Sequence, residues 1–136
     1  MITHLLDTSA ILAHYRKQSG WEEVNRLLAD DSVVPGVCAV TITELGARLK
    51  ELGVAKADRL QVIQDYLSIA DTVLPVTQAT AFTALEVRAQ SPLRLPTVDA
   101  LIAAAAKLEN AVLVHRDQHM ATIPKAVVPQ TNLLDS

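Results

Sequence analysis

Thr97-Val98-Asp99-Ala100-Leu101-Ile102-Ala103-Ala104-Ala105-Ala106-Lys107-Leu108-Glu109-Asn110-Ala111-Val112-Leu113-Val114-His115-Arg116-Asp117 is the run that decides the fold. Its first part, Thr97 to Glu109, reads as a helix. From Ala100 to Ala106 that helix is apolar on every face, and such a helix belongs inside a protein. Its second part, Ala111 to Val114, reads as a short strand without polar alternation. Strands of that kind are buried on both faces, as in a parallel sheet covered above and below by helices. An acid, Asp117, follows the strand almost at once.

Working outward, the same alternation recurs. Ile2 to Leu6 reads as a strand that runs into Asp7. Thr8 to Arg16 and Glu22 to Ala29 read as helices separated by Gly20. Val37 to Val40, bounded by Pro35-Gly36, reads as a second strand. Thr41 to Leu52 carries Ile42, Leu45, Leu49 and Leu52 at helical spacing and stops at Gly53. Lys56 to Ile69 is a helix with Leu60, Ile63 and Leu67 on one face, and Thr72 to Val76 a third strand. Gln78 to Ala89 is a helix expected to bury Phe82, Leu85 and Ala89, and Ser91 to Pro96 is a loop. Val127-Val128 supplies a short last strand. These readings predict a single α/β domain over residues 1–136, with a central parallel sheet of four or five short strands flanked by helices on both sides. Repeats, linkers and low-complexity stretches are not seen.

Bulk properties narrow the function classes. The chain has 136 residues, half of them apolar, which is enough for one ordinary core and argues against general disorder. The net charge of −3 argues against a passive nucleic-acid binder, which carries a basic footprint. It argues less against an enzyme that gathers carboxylates around cations. The one cysteine, Cys38, excludes an internal disulfide, fits a reducing compartment and reads as a buried thiol. The first residues lack the basic region and long apolar run of a secretory signal, and no stretch approaches the roughly 20 apolar residues of a membrane span. The expectation is a cytoplasmic protein without membrane contact.

Ligands of open parallel sheets collect at the carboxyl ends of the strands. Asp7 and Asp117 follow strands there, and Glu44 lies in the first turns after another. Taken singly, each acid has a structural explanation. Asp7 serves as a helix cap, and Thr41-Ile42-Thr43-Glu44 matches a capping box. Glu44 suits an ion pair with Arg48, four residues on. Thr97 suits an N-cap with Asp99 favoured in the first turn, and Asp117 suits a turn. Together they make a different case. Asp99 heads a buried helix, and no basic residue lies between it and Lys107. Like charges 4 Å apart cost about 4 kcal/mol per pair at an effective dielectric near 20, so such a cluster calls for cations. Hard oxygen ligands favour Mg²⁺ or Mn²⁺, suited to activating water against a phosphodiester.

The motifs themselves carry a resemblance. Leu5-Leu6-Asp7-Thr8-Ser9-Ala10, Thr43-Glu44-Leu45, the stretch Leu95 to Ala106 around Asp99, and Val112-Leu113-Val114-His115-Arg116-Asp117 resemble, in order and spacing, the four motifs of PIN-domain ribonucleases of the VapC toxin type. They span nearly the whole chain, and the third is the most specific. The resemblance implies that Asp7, Glu44, Asp99 and Asp117 bind one or two Mg²⁺ ions, with Mn²⁺ as a substitute, and that Ser9 supports them by hydrogen bonding. It implies cleavage of RNA by metal-activated water, a homodimer, and inhibition by a small antitoxin of a type II toxin–antitoxin pair. Two departures lie in the fourth motif. His115 stands where threonine is frequent, and Met120 where an aromatic is common.

Arg48, Lys50, Arg88, Arg94 and Arg116 are candidates for lining an RNA groove, with His115 as a further phosphate contact. Each charge also reads as an ordinary solvated one. His115, Asp117 and His119 alternatively suggest a zinc cluster, but no other histidine or cysteine lies nearby in sequence to complete it. With Trp21, Tyr15, Tyr66 and Phe82 as the only aromatics, a base-stacking platform is not expected. Trp21 suits either core or a partner surface. The helices Glu22 to Ala29 and Lys56 to Ile69 are the candidates for partner contact. Rival classes are weaker. A haloacid-dehalogenase-like phosphatase would need an aspartate where Ser9 stands, and a receiver domain an acid directly after Val40 or Val76. A non-catalytic PIN-fold RNA-binding or scaffold module is the alternative from outside enzymology.

Overall fold

A computed structural model describes residues 1–135. The chain runs β1 (His4–Leu6), α1 (Thr8–Arg16), α2 (Trp21–Ala29), β2 (Pro35–Cys38), α3 (Ala39–Glu51), α4 (Lys56–Ile69), β3 (Thr72–Leu74), α5 (Gln78–Gln90), α6 (Thr97–Leu108), β4 (Val112–His115) and β5 (Gln130–Asn132), with short 3₁₀ turns at Met120–Thr122 and Leu133–Asp135. The five strands form one sheet in the order β3-β2-β1-β4-β5, and every pairing is parallel. This is the expected α/β architecture, a parallel sheet with helices on both sides.

Alternation along the strands builds two cores. Leu5, Cys38 and Leu113 point into one cluster with α5 and α6, and Leu6, Val37 and Val114 point into another with α1, α2, α3 and α4. Because successive strand side chains face opposite sides, each strand must be apolar throughout, which explains the sequence pattern. Helix α6 lies deep in the first cluster. Ala100 and Ile102 to Ala106 are all at most 3% exposed. Its alanines let α5 approach closely.

That close approach overturns one expectation. The inward face of α5 is Thr80, Ala84 and Val87, whereas Phe82 and Leu85 are 63% and 64% exposed. Ala89 is exposed as well, and on α4 Leu60 is exposed while Ile63 is buried. Several boundaries also differ; β3, for one, ends at Leu74 rather than Val76. β2 ends at Cys38 and α3 begins at Ala39, so Thr41 lies inside the helix and the expected capping box at Thr41 is absent. The last strand is Gln130–Asn132 rather than Val127-Val128, and Val128 packs into the core from the preceding loop.

Gly20 turns the chain between α1 and α2 with φ of +94°. A Cβ there would meet Leu133 Cβ at 2.8 Å and the Leu133 carbonyl oxygen at 2.9 Å. Gly20→Ala therefore adds a left-handed penalty to a clash with a buried segment, and it is expected to destabilise the fold by about 2 kcal/mol or more. Urea unfolding measures this. An unchanged midpoint would show that the α1–α2 turn is not held as described.

Candidate active site

The chain order produces a switch point. From β1 it moves outward to β2 and β3, then returns across the sheet to place β4 on the other side of β1. The segments that follow β1 and β4 pack on opposite faces of the sheet, α1 in one core cluster and the Met120–Thr122 turn in the other, leaving a crevice outside the strand ends. α6 leads by a tight turn into β4, so its first turn stands at that same edge. Asp7 comes from the end of β1, Glu44 from the second turn of α3, Asp99 from the first turn of α6, and Asp117 from just after β4. All four line one cleft of about 320 Å³, with Thr8, Ser9, Leu12, Gln18, Arg48 and Arg116.

Each acid is held in a distinct way. Asp7 is buried and caps α1, accepting from the Ser9 backbone N–H at 3.0 Å and the Ser9 hydroxyl at 2.5 Å. The Ser9 oxygen in turn accepts from the Arg116 backbone N–H at 2.8 Å, tying the ends of β1 and β4 together. Glu44 accepts at 2.8 Å from the hydroxyl of Thr8, which also reaches Thr41. Asp117 accepts from the backbone N–H groups of His119 and Met120, closing the turn after β4. Asp99 has no hydrogen bond among the described residues; the nearest polar group recorded for it is the His119 ring, 3.9 Å away.

The electrostatics register this crowding. Burial pushes the Asp99 carboxyl up to about 7, helped by the charges of Asp117, Asp7 and Glu44. Burial likewise raises Asp7 to about 6 against the opposing Ser9 hydrogen bonds, with Glu44 and Asp117 adding to the rise. Among the described residues, none of the four acids pairs with a lysine or arginine. The pairing of Glu44 with Arg48 is not made; Arg48 pairs with Glu51 instead. The donor set suits a hard divalent cation, since it is all carboxylate oxygen and short of compensating positive charge.

Other sequence-derived assignments divide. Ser9, Arg48 and Arg116 line the cleft. Arg94 is exposed on the loop before α6 and is not part of that lining, and neither are Lys50 and Arg88. His115 is completely buried and is not part of the cleft lining. Its Nδ1 accepts from the Asp117 backbone N–H and its Nε2 is 2.7 Å from Gln130 Oε1, which fixes the Nε2–H tautomer. Burial lowers its pKa, in keeping with a neutral interior ring. The zinc cluster is corrected accordingly: of its two histidines, only His119 faces the acids. Met120, like His115, is fully buried. Thr8, Thr41 and Gln18 were not anticipated from the sequence.

A family model described as PIN domain matches residues 4–126. The chain belongs to the PIN-domain family. Solved structures share its fold at low identity. VapBC2 from Rickettsia felis, bound to a DNA fragment from its promoter, is 21% identical, with 96% of this chain and 98% of that one covered and a TM-score of 0.73. FitAcB from Neisseria gonorrhoeae is 21% identical over 98% of this chain and 100% of that one, also at 0.73. DNA-bound VapBC from Salmonella typhimurium is 21% identical over 98% and 99%, at 0.72. No curated protein matches the sequence. In this PIN fold the four sequence-derived acids are brought to one cleft.

Proposed function

We propose that this PIN domain, residues 1–136 as one unit, is a metal-dependent endoribonuclease and the toxin of a VapBC-type toxin–antitoxin pair acting in the cytoplasm. The observation that carries the reading is the meeting of Asp7, Glu44, Asp99 and Asp117 in one cleft without a lysine or arginine paired to any of them among the described residues, two of them held above the usual carboxylate range. Negative charge left uncompensated in a cleft is costly to the fold and useful to a cation site. Among the described residues no helix is long and apolar enough to cross a membrane.

The four carboxylates would hold one or two Mg²⁺ ions, or Mn²⁺ in their place. A divalent cation there supplies charge neutralisation at the scissile phosphate and activation of water. The chain's own groups do the rest. Ser9 holds Asp7 in one rotamer and fixes the Arg116 backbone beside it. The Thr8 hydroxyl orients Glu44. Arg116 and Arg48, at the wall of the cleft, present positive charge to the phosphates of an RNA strand and offset the acidic interior.

The test is incubation of purified protein with total RNA in Mg²⁺, Mn²⁺ or EDTA, with RNA ends mapped by sequencing. Discrete cuts that need metal and disappear in Asp99→Asn support the nuclease. Identical cuts by wild type and variant would assign them to a contaminant. No cuts by antitoxin-free protein would favour a non-catalytic RNA-binding or scaffold module.

Two surface features support proposed partners. The outward face of α5 presents Phe82 and Leu85, with Leu93 just beyond the helix, each about two-thirds exposed. Exposed apolar side chains on one helix face suit an interface, and we assign this face to a second copy of the chain. Phe82→Asp combined with Leu85→Asp is expected to convert a dimer to a monomer in light-scattering chromatography while leaving the circular dichroism spectrum intact. A dimer that survives both changes would place the interface elsewhere. For a small antitoxin, α4 contributes a groove with α3 in which Ile42, Gly46, Ala47, Leu60 and Ile63 are flanked by Lys50, Lys56 and Arg59.

A further inference from the structure

We propose that His119 is a ligand of the metal site, supplying a nitrogen donor beside the carboxylates of Asp99 and Asp117. The inference rests on the metal-nuclease reading and deepens it, from an all-oxygen site to a mixed one.

The geometry is specific. Asp99, Asp117 and His119 each offer one ligand atom, and these atoms all lie within 4.8 Å of one another. His119 Nδ1 is 3.4 Å from Asp117 Oδ1 and 3.9 Å from Asp99 Oδ2. The Asp117 turn sets this placement, because Oδ1 of Asp117 accepts the His119 backbone N–H at 2.6 Å and keeps the ring beside the Asp99 and Asp117 carboxylates. An imidazole without a task at an exposed position is free to turn to water. This ring stands over two carboxylates, one of which has no hydrogen bond among the described residues.

The other histidines are otherwise engaged. His115 has both ring nitrogens bonded inside the core. His14 bonds Tyr66 through Nδ1 and Asn25 through Nε2, and His4 Nδ1 bonds Thr3. Among the described residues, only the His119 ring both lacks such bonds and lies within ligand distance of the acids, so it is the imidazole placed to reach a metal there.

A nitrogen donor changes which ion the site prefers. Imidazole suits transition ions, and affinity rises from Mn²⁺ towards later first-row metals, whereas Mg²⁺ prefers oxygen and water. Relative to a purely carboxylate site, this one therefore favours transition ions, Mn²⁺ among them, over Mg²⁺, and His119 is the residue that tunes it.

The decisive measurement is pulsed electron paramagnetic resonance of Mn²⁺-loaded protein carrying no histidine tag, for wild type, His119→Ala and Asp99→Asn, beside Mn²⁺ and Mg²⁺ affinities by calorimetry. The expected result is an imidazole ¹⁴N coupling in wild type that vanishes in His119→Ala. Mn²⁺ affinity then falls roughly tenfold or more, and Mg²⁺ affinity changes far less. Mn²⁺ bound tightly without nitrogen coupling, and equally by His119→Ala, would overturn the role of His119 and leave the metal-nuclease reading standing. Wild type that binds no Mn²⁺ would overturn both. His119 is exposed, so the alanine variant is expected to keep its folded circular dichroism spectrum, and a loss of that spectrum would itself contradict the surface position on which the inference depends.

Discussion

Asp99→Asn is expected to reduce RNA cleavage by roughly 10²–10³-fold or more, the range seen when one preorganised charge-stabilising group is removed. The substitution preserves shape and leaves no donor unpaired, because Asp99 accepts no hydrogen bond among the described residues. What it removes is one charge from a site whose other three carboxylates alone would hold a cation less tightly. The effect should appear first in metal affinity and only partly in the rate at saturating Mn²⁺. Ser9→Ala, by contrast, leaves all four charges in place but frees Asp7 and loosens the Arg116 backbone. Its loss should be smaller and should persist at saturating metal. Quantitative cleavage of a mapped RNA site across a metal titration separates the two. An Asp99→Asn protein as active as wild type would remove the cation-holding role of this cleft.

The acids were legible from sequence for a topological reason. Asp7 and Asp117 follow apolar strands, Glu44 and Asp99 sit in the opening turns of helices, and in a parallel sheet all of these positions share an edge. What supports them was not legible. Thr8 reaches Glu44 and Thr41 across two elements, and nothing local to Thr8 announces that contact. His115 misled for a related cause. A histidine beside two charged residues reads as exposed, yet it is the last residue of a central strand, and the partner that makes it affordable is Gln130 on β5. That same strand was missed because it is polar, an edge strand of Gln130, Thr131 and Asn132, while the apolar Val127-Val128 drew the reading to the loop before it. On α5 both faces carry apolar residues, and periodicity cannot choose between them. The small-residue face won because α6 presents alanines, which reward close approach more than bulk. The β2–α3 boundary was invisible for want of a signal: Cys38 caps the helix without a side-chain hydrogen bond, and the apolar run continues straight through it.

The same aspartate should show the opposite sign in stability. In metal-stripped protein at pH 8, Asp99→Asn is expected to be more stable than wild type, and at pH 5 by a clearly smaller margin. The folded carboxyl titrates near 7 against an ordinary value of 3.8. Between those values the folded chain binds more protons than the unfolded one, so stability falls as pH rises through the window. Below it the raised pKa costs nothing; above about pH 7 the full cost is present. Three units correspond to at most about 4 kcal/mol, and coupling to Asp7 reduces the share recovered by one substitution to about 2–4 kcal/mol. Comparing variant with wild type at each pH matters, because His4 and His115 have lowered values and lose stability as pH falls through the neighbouring range. Their contribution is common to both proteins and cancels. Thermal unfolding in EDTA at pH 5, 6.5 and 8 gives the answer. Mn²⁺ should then reverse the order at pH 8, because it binds the deprotonated wild-type site and stabilises the folded state by mass action. A variant no more stable than wild type at pH 8 would mean that Asp99 is not under charge stress, and the case for a cation there would lose its electrostatic basis. The expected crossing of the two stability orders, with metal and without, would show that the fold tolerates a destabilising cluster because the cation is part of its working state.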